Sequence, residues 1–231
     1  MKKVLAICLA LAMFLPLCAC GGSSGTITKE EMQSAAKKLN VSKLIESAEE
    51  NELRASEEYV GAIYEISGFV TAINEDSCTL ETLGTDGLLH GTRSMIVVPL
   101  SREELMELST NERITVVGEI GEIVGQTIIK LRSAYYISNE FTLEVKITDF
   151  VYDFVSDKYP TYAGATCFGY LDESFLPRCN VVLSREKLAE LEEGDEVTVK
   201  GKLVFYDENH VHLDIRKEKI IFEIQDAELT D

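Results

Sequence analysis

From Thr28 onward the apolar residues fall at helical spacing. Met32, Ala35, Ala36 and Leu39 come first; Val41, Leu44, Ile45 and Ala48 follow after a break near residues 40–42. Thr28 with Glu31 three residues later fits a capping box. This predicts a helical lead-in over 28–58. At Tyr59 the period changes to two. Residues 63–73 read as one long strand with Gly68 inside it, where a bulge or sharp bend is expected. A turn at 74–76, a strand at 78–83, a Gly-rich loop at 84–91 and a strand at 95–100 follow. Residues 101–108 read as a short helix, with Ser101 as cap and Glu104 at the capping-box position. Strands at 113–120 and 127–137 complete the run.

The same order then recurs. The run from Ser101 to Ile120 and the run from Ser184 to Leu203 share nine identities in twenty positions, where chance gives roughly one or two. Val98 with Val181 and Leu100 with Leu183 extend the match. The period is too long for a solenoid, so two tandem domains are expected, 59–138 and 141–223, joined at Asn139-Glu140. Strands of the second are expected at 141–154, 165–171, 181–183, 196–205 and 210–222. Residues 224–231 read as an acidic tail. Three strands, a helix and two strands is the order of the OB-fold. The expected fold class is therefore all-β with minor α: two tandem five-stranded OB-fold-like barrels behind an N-terminal helical segment.

Asn51, Ala55, Tyr59-x-Gly61, the Gly68 strand ending in Ile73, and Val116-Val117-Gly118 form a pattern. It resembles the tRNA_anti-like family of bacterial OB-fold proteins over roughly residues 45–138. A basic residue often follows the Tyr-x-Gly glycine in that family; Ala62 stands here. The resemblance implies an OB-fold and structural roles for Tyr59, Gly61, Gly68 and Ile73. It implies no catalytic residue, and the family's name does not establish tRNA binding.

The head of the chain carries an address. Lys2 and Lys3 precede a mostly apolar run over 4–17, then Leu17-Cys18-Ala19-Cys20 and the small residues 21–25. A basic start, a short apolar core and small residues at the cut describe a signal peptide, here 1–19. The tetrapeptide resembles the bacterial lipobox, which implies cleavage before Cys20 and a lipid on its thiol. Two or more acyl chains anchor a protein stably, and 20–27 would be a flexible tether. The expected location is the extracytoplasmic side of a cell membrane, with the membrane as partner through Cys20.

Charge narrows the other partners. The formal net charge is −18, and loss of Lys2 and Lys3 makes it two units more negative. Nucleic-acid binding draws most of its affinity from Lys and Arg, so an oligonucleotide partner is disfavoured. A protein, peptide or glycan of the cell envelope is the expected partner. Of six cysteines, Cys78, Cys167 and Cys179 remain after processing; Cys167 and Cys179 could pair, or all three could be small buried residues.

Tyr64, Phe69, Tyr135 and Tyr136 could stack on bases, but without a basic groove they read better as packed strand aromatics. His210 and His212, with Asp207 or Asp214, could hold a metal; a solvated edge strand is the simpler reading. Glu192-Glu193-Gly194-Asp195-Glu196 lacks the alternating ligands of a calcium loop. Asp149, Asp153 and Asp157 lie in an expected strand and would not cluster. No metal, cofactor or catalytic residue is assigned. The expected function is a non-enzymatic binding module, with an oligonucleotide-binding protein or a hydrolase using paired acids as alternatives.

Overall fold

The computed structural model describes residues 27–82, 94–125, 127–151, 163–171, 174–205, 212–213, 219–220 and 222–230. Thr28 caps α1 (Lys29–Ala35) through the expected capping box. The chain then leaves the helix sooner than the spacing suggests. Lys37 and Lys38 form a two-residue strand β1, parallel to the next strand, so Leu39 lies outside the helix. Asn40 caps α2 (Val41–Tyr59), which kinks at Asn51. The Asn51 side chain accepts the backbone N–H of Arg54, restarting the helix. Leu44, Ile45, Ala48 and Ala55 of α2 are buried in the same core as the strands that follow. The lead-in is therefore part of the first core.

Gly61 ends this segment with φ +84°, a conformation that glycine adopts without a Cβ penalty. Its N–H donates to Ile120 O at 2.8 Å, and Tyr59 packs against Tyr64 at 6.1 Å. Those contacts are the physical content of the Tyr-x-Gly pattern.

The first sheet holds β1, β2 (Ile63–Ile73), β3 (Ser77–Glu81), β4 (Met95–Pro99), β5 (Arg113–Val124) and β6 (Ile128–Ser138), with α3 (Arg102–Met106) after β4. The order is β1-β2-β3-β4-β6-β5, and β2 also pairs with β5, so the sheet bends back on itself. The second is a closed barrel of β7 (Glu140–Val151), β8 (Ala163–Leu171), β9 (Ser174–Leu183), β10 (Glu196–Phe205) and β13 (Phe222–Thr230), with α4 (Arg185–Leu188) after β9. Strands β11 (His212–Leu213) and β12 (Lys219–Ile220) pair with each other.

Both sheets carry the same five pairings. First with second, second with third, first with fourth and fourth with fifth are antiparallel; third with fifth is parallel. The likeness reaches individual bonds. Asn111 and Gly194, 83 residues apart, both have positive φ. Asn111 N donates to Val70 O at 2.7 Å and Gly194 N to Ile147 O at 2.9 Å. Glu112 and Asp195 each accept the N–H three residues back, from Ser109 and Glu192. The acidic run at 192–196 is thus the turn that feeds β10. At Gly118 a Cβ would meet Leu131 Cδ1 at 2.7 Å; at Gly201 it would meet Gln225 O at 2.8 Å.

Three expectations need correction. Gly68 is not a bulge: its pairing with β5 is regular, and the register shift against β3 lies between Val70 and Ala72. Gly68 instead permits close approach, since a Cβ would sit 2.9 Å from Glu81 O. The fifth strand of the second sheet is Phe222–Thr230, not 210–222, so residues 224–230 are no tail but close the barrel. Strand β9 begins at Ser174, earlier than expected, and its register sets Cys179 opposite Cys167.

The two sheets touch directly. Asn139 alone separates β6 from β7. Its amide donates to buried Glu112 at 2.6 Å. Period-two alternation puts Ile66 and Val70 on the inner face of β2 and Phe69 on the outer face. There Phe69 joins the second core, 5.8 Å from the Phe222 ring and 6.1 Å from Phe205. Phe205 N donates to Asn111 O at 2.8 Å, and Arg113 lies 4.2 Å over the Phe141 ring.

Candidate functional site

In each sheet the third and fifth strands run parallel for three residue pairs and then part. Met95–Val97 pair with Ile128–Lys130, and Cys179–Val181 with Phe222–Ile224. A short helix follows the third strand on each side. The two seams are finished differently.

In the first, Glu104 on α3 bridges the gap. Its carboxylate accepts Ser101 N–H at 2.9 Å and, across the seam, Tyr136 N–H at 3.0 Å. A carboxylate with two backbone donors is a charge-assisted clasp. In the second, Lys187 occupies the equivalent position. Its backbone N–H still donates to the capping hydroxyl of Ser184 at 3.3 Å, but an ammonium has no acceptor to offer the fifth strand. A cleft of about 500 Å³ lies there. Val182, Ser184 and Lys187 form one wall; Asp226, Glu228 and Leu229 form the other. Leu229 faces Val199 in register as Tyr136 faces Val116, so Leu229 stands where Tyr136 stands in the first sheet.

The cleft is lined by charged and apolar side chains together. Ser184 Oγ caps α4, accepting the Lys187 backbone N–H. Asp226 is held by Lys202 at 3.4 Å, and Lys187 reaches Glu190 at 3.3 Å on its own helix. Lys200, next to Glu228 in register, has its pKa raised, chiefly by the hydrogen bond to Glu140.

The other sequence candidates separate. Phe69 is core, and Tyr64 and Tyr136 pack half-buried against the first core. Tyr135 O–H donates to Ile27 O at 2.8 Å, tying the lead-in to β6. The strands β2, β3 and β4 carry no Lys or Arg; the cations in register with these rings are Lys37 of β1, opposite Tyr64, and Arg113 of β5, opposite Phe69 and stacked over Phe141. Elsewhere Lys130, Arg132, Lys146, Lys200 and Lys202 each pair with a carboxylate. Among the described residues no three His, Cys, Asp or Glu side chains gather as metal ligands. His212 and Asp149 lie in strands; Cys20, Asp153, Asp157, Asp207, His210 and Asp214 lie outside the described residues. Sequence reasoning missed the cleft. Its signal was present in the repeat: Glu104 against Lys187 is a charge reversal inside an otherwise matching helix.

Residues 1–134 match the model of the tRNA_anti-like family. The chain belongs to that family. The tRNA_anti-like match ends within β6, so the second barrel lies beyond it and is tied to the first sheet by the internal repeat. A comparison with curated proteins finds no match. Among solved structures, the chain is similar to the single-stranded DNA binding protein from Thermus aquaticus at 17% identity. That alignment covers 73% of this chain and 92% of the other, with a TM-score of 0.28. A deletion mutant of the same protein aligns at 16% identity over 73% and 93%, again with a TM-score of 0.28. At such TM-scores nothing about the ligand of this chain follows.

Proposed function

We propose that this tRNA_anti-like protein is a lipid-anchored, extracytoplasmic binding module of the cell envelope. It consists of two tandem OB-like domains and acts without catalysis on a protein, peptide or glycan partner. The observation that carries the binding reading is the difference between the two seams. One is clasped by Glu104; the other, with Lys187, is open as a cleft. The anchoring reading rests on the residues from Lys2 to Cys20 and on the Gly/Ser stretch behind them.

An oligonucleotide partner fits less well. The net charge is −18, and five of the described cations on the strands are already paired with carboxylates. Binding to phosphate needs unpaired cations and weakens steeply with salt.

Membrane fractionation tests the anchor. The wild-type chain is expected in the membrane pellet and Cys20→Ser in the soluble fraction. A Cys20→Ser protein that pellets as completely as wild type would sink the lipid assignment. Fluorescence anisotropy with labelled single-stranded DNA at low salt is expected to show no binding; salt-dependent binding would favour the oligonucleotide reading.

A further inference from the structure

We propose that the cleft between α4 and β13 seats a carboxylate from a partner molecule, in the place that the Glu104 side chain fills in the first sheet. The inference rests on the binding-module reading and names the ligand chemistry of its site.

The repeat supplies the argument. In the first sheet the fifth strand presents Tyr136 N–H to a carboxylate on the short helix, at 3.0 Å. In the second the strand position is Leu229 and the helix position is Lys187. The acceptor has gone and a donor has replaced it. The space is open, about 500 Å³, with Lys187 and Leu229 on facing walls.

A carboxylate placed there would accept a backbone N–H from the strand and an N–H from the ammonium. Hydrogen bonds with charged partners are the stronger kind. The wall also carries two acidic side chains, Asp226 and Glu228, with which an incoming carboxylate would compete. Asp226 forms an exposed pair with Lys202, of the same kind as that of Lys187 with Glu190, and Glu228 lies in register with Lys200, which itself pairs with Glu140. The pair between Lys187 and Glu190 is exposed on both sides, so it contributes little and exchanges readily. The carboxylate could come from a peptide C-terminus, an acidic side chain or a uronic acid, and the ligands tested separate these sources.

The test is a titration of the full ¹⁵N-labelled chain followed by amide shifts. The probes are acetate, an N-acetylated tripeptide with a free C-terminus, the same tripeptide as its C-terminal amide, an N-acetyl-aspartate amide, and glucuronate. Carboxylate probes are expected to move the Leu229 amide at concentrations up to about 50 mM, the preferred source giving the largest response, and the tripeptide amide is expected not to move it. Lys187→Glu, which rebuilds the clasp, is expected to shift Leu229 without any probe and to abolish the response. Lys187→Met is expected to keep the cleft and weaken the response roughly tenfold. The proposal is overturned if no carboxylate moves Leu229, if the tripeptide amide acts equally, or if both Lys187 variants respond like wild type. The fractionation of Cys20→Ser bears on the anchor alone, and a partner that still binds Lys187→Glu would leave the binding reading standing while removing this seat.

Discussion

Cys78 lies in the first core with none of its surface exposed, opposite Ile73 on β2 and Val98 on β4. Burial penalises the thiolate, and the thiol pKa is pushed from 9.0 to about 11. The folded state therefore holds this proton more tightly than the unfolded chain does. The associated stability is fully present below pH 9 and is lost as the pH rises toward 11. Tyr59, Tyr64 and Tyr136 move in the same direction, first through burial and then through nearby glutamates or, for Tyr59, also Tyr64. Urea midpoints are expected to be flat from about pH 6 to 8 and to fall between 9 and 11, less steeply in Cys78→Val. An equal alkaline slope in that variant would remove Cys78 from the account. The small-apolar reading of this cysteine was available from its neighbours, Ser77 to Leu80 alternating in a strand. Its degree of burial was not, because that depends on the sheet bending back on itself through the β2–β5 pairing, so that β3 faces a shared core.

Strand β13 shows where local pattern fails. Residues 222–230 contain four acidic or amide side chains, and Glu223 and Gln225 are buried beside Phe222 and Ile224. Alternation is blurred when both faces are covered, and acidity suggests solvent. The strand is defined by its partners, seven residue pairs with β10 and three with β9. By contrast β2, β10 and the two caps at Thr28 and Ser101 were legible, since each is fixed by side chains within a few residues. A chain ending at Glu223 loses buried Ile224 and most of the β10 pairing. Burial of one such side chain is worth about 1.5–3 kcal/mol, against a total stability of about 5–15 kcal/mol for an ordinary domain. Hydrogen exchange on the truncated chain is expected to show β7 to β10 unprotected while β2 to β6 keep their protection. Retained protection in β10 would mean that the barrel closes without β13.

At the scale of the molecule, the repeat foretold two units with one topology, and the pairings agree strand by strand. It did not foretell how they meet. Phe69 reads from the sequence as a packed strand aromatic, and it is packed, but in the core of the other sheet. Its true neighbours, Phe205 and Phe222, are distant in sequence, so no local pattern encodes the contact. Phe69→Ala is expected to cost about 3–5 kcal/mol. Because the ring belongs to one sheet and the other core, the variant is also expected to separate one denaturation transition into two. A single unchanged transition, monitored by far-ultraviolet circular dichroism, would show that the joint contributes little.

That joint has a consequence for the order of synthesis. The growing chain completes β2 long before Phe222 is made, so the first sheet can form while the Phe69 ring has no cover. During that interval the Phe69 ring lies on the outer face of β2 without its partners Phe205 and Phe222. Once the last strand arrives the ring is covered. A chain that stops before β13 therefore leaves that ring without its Phe222 cover.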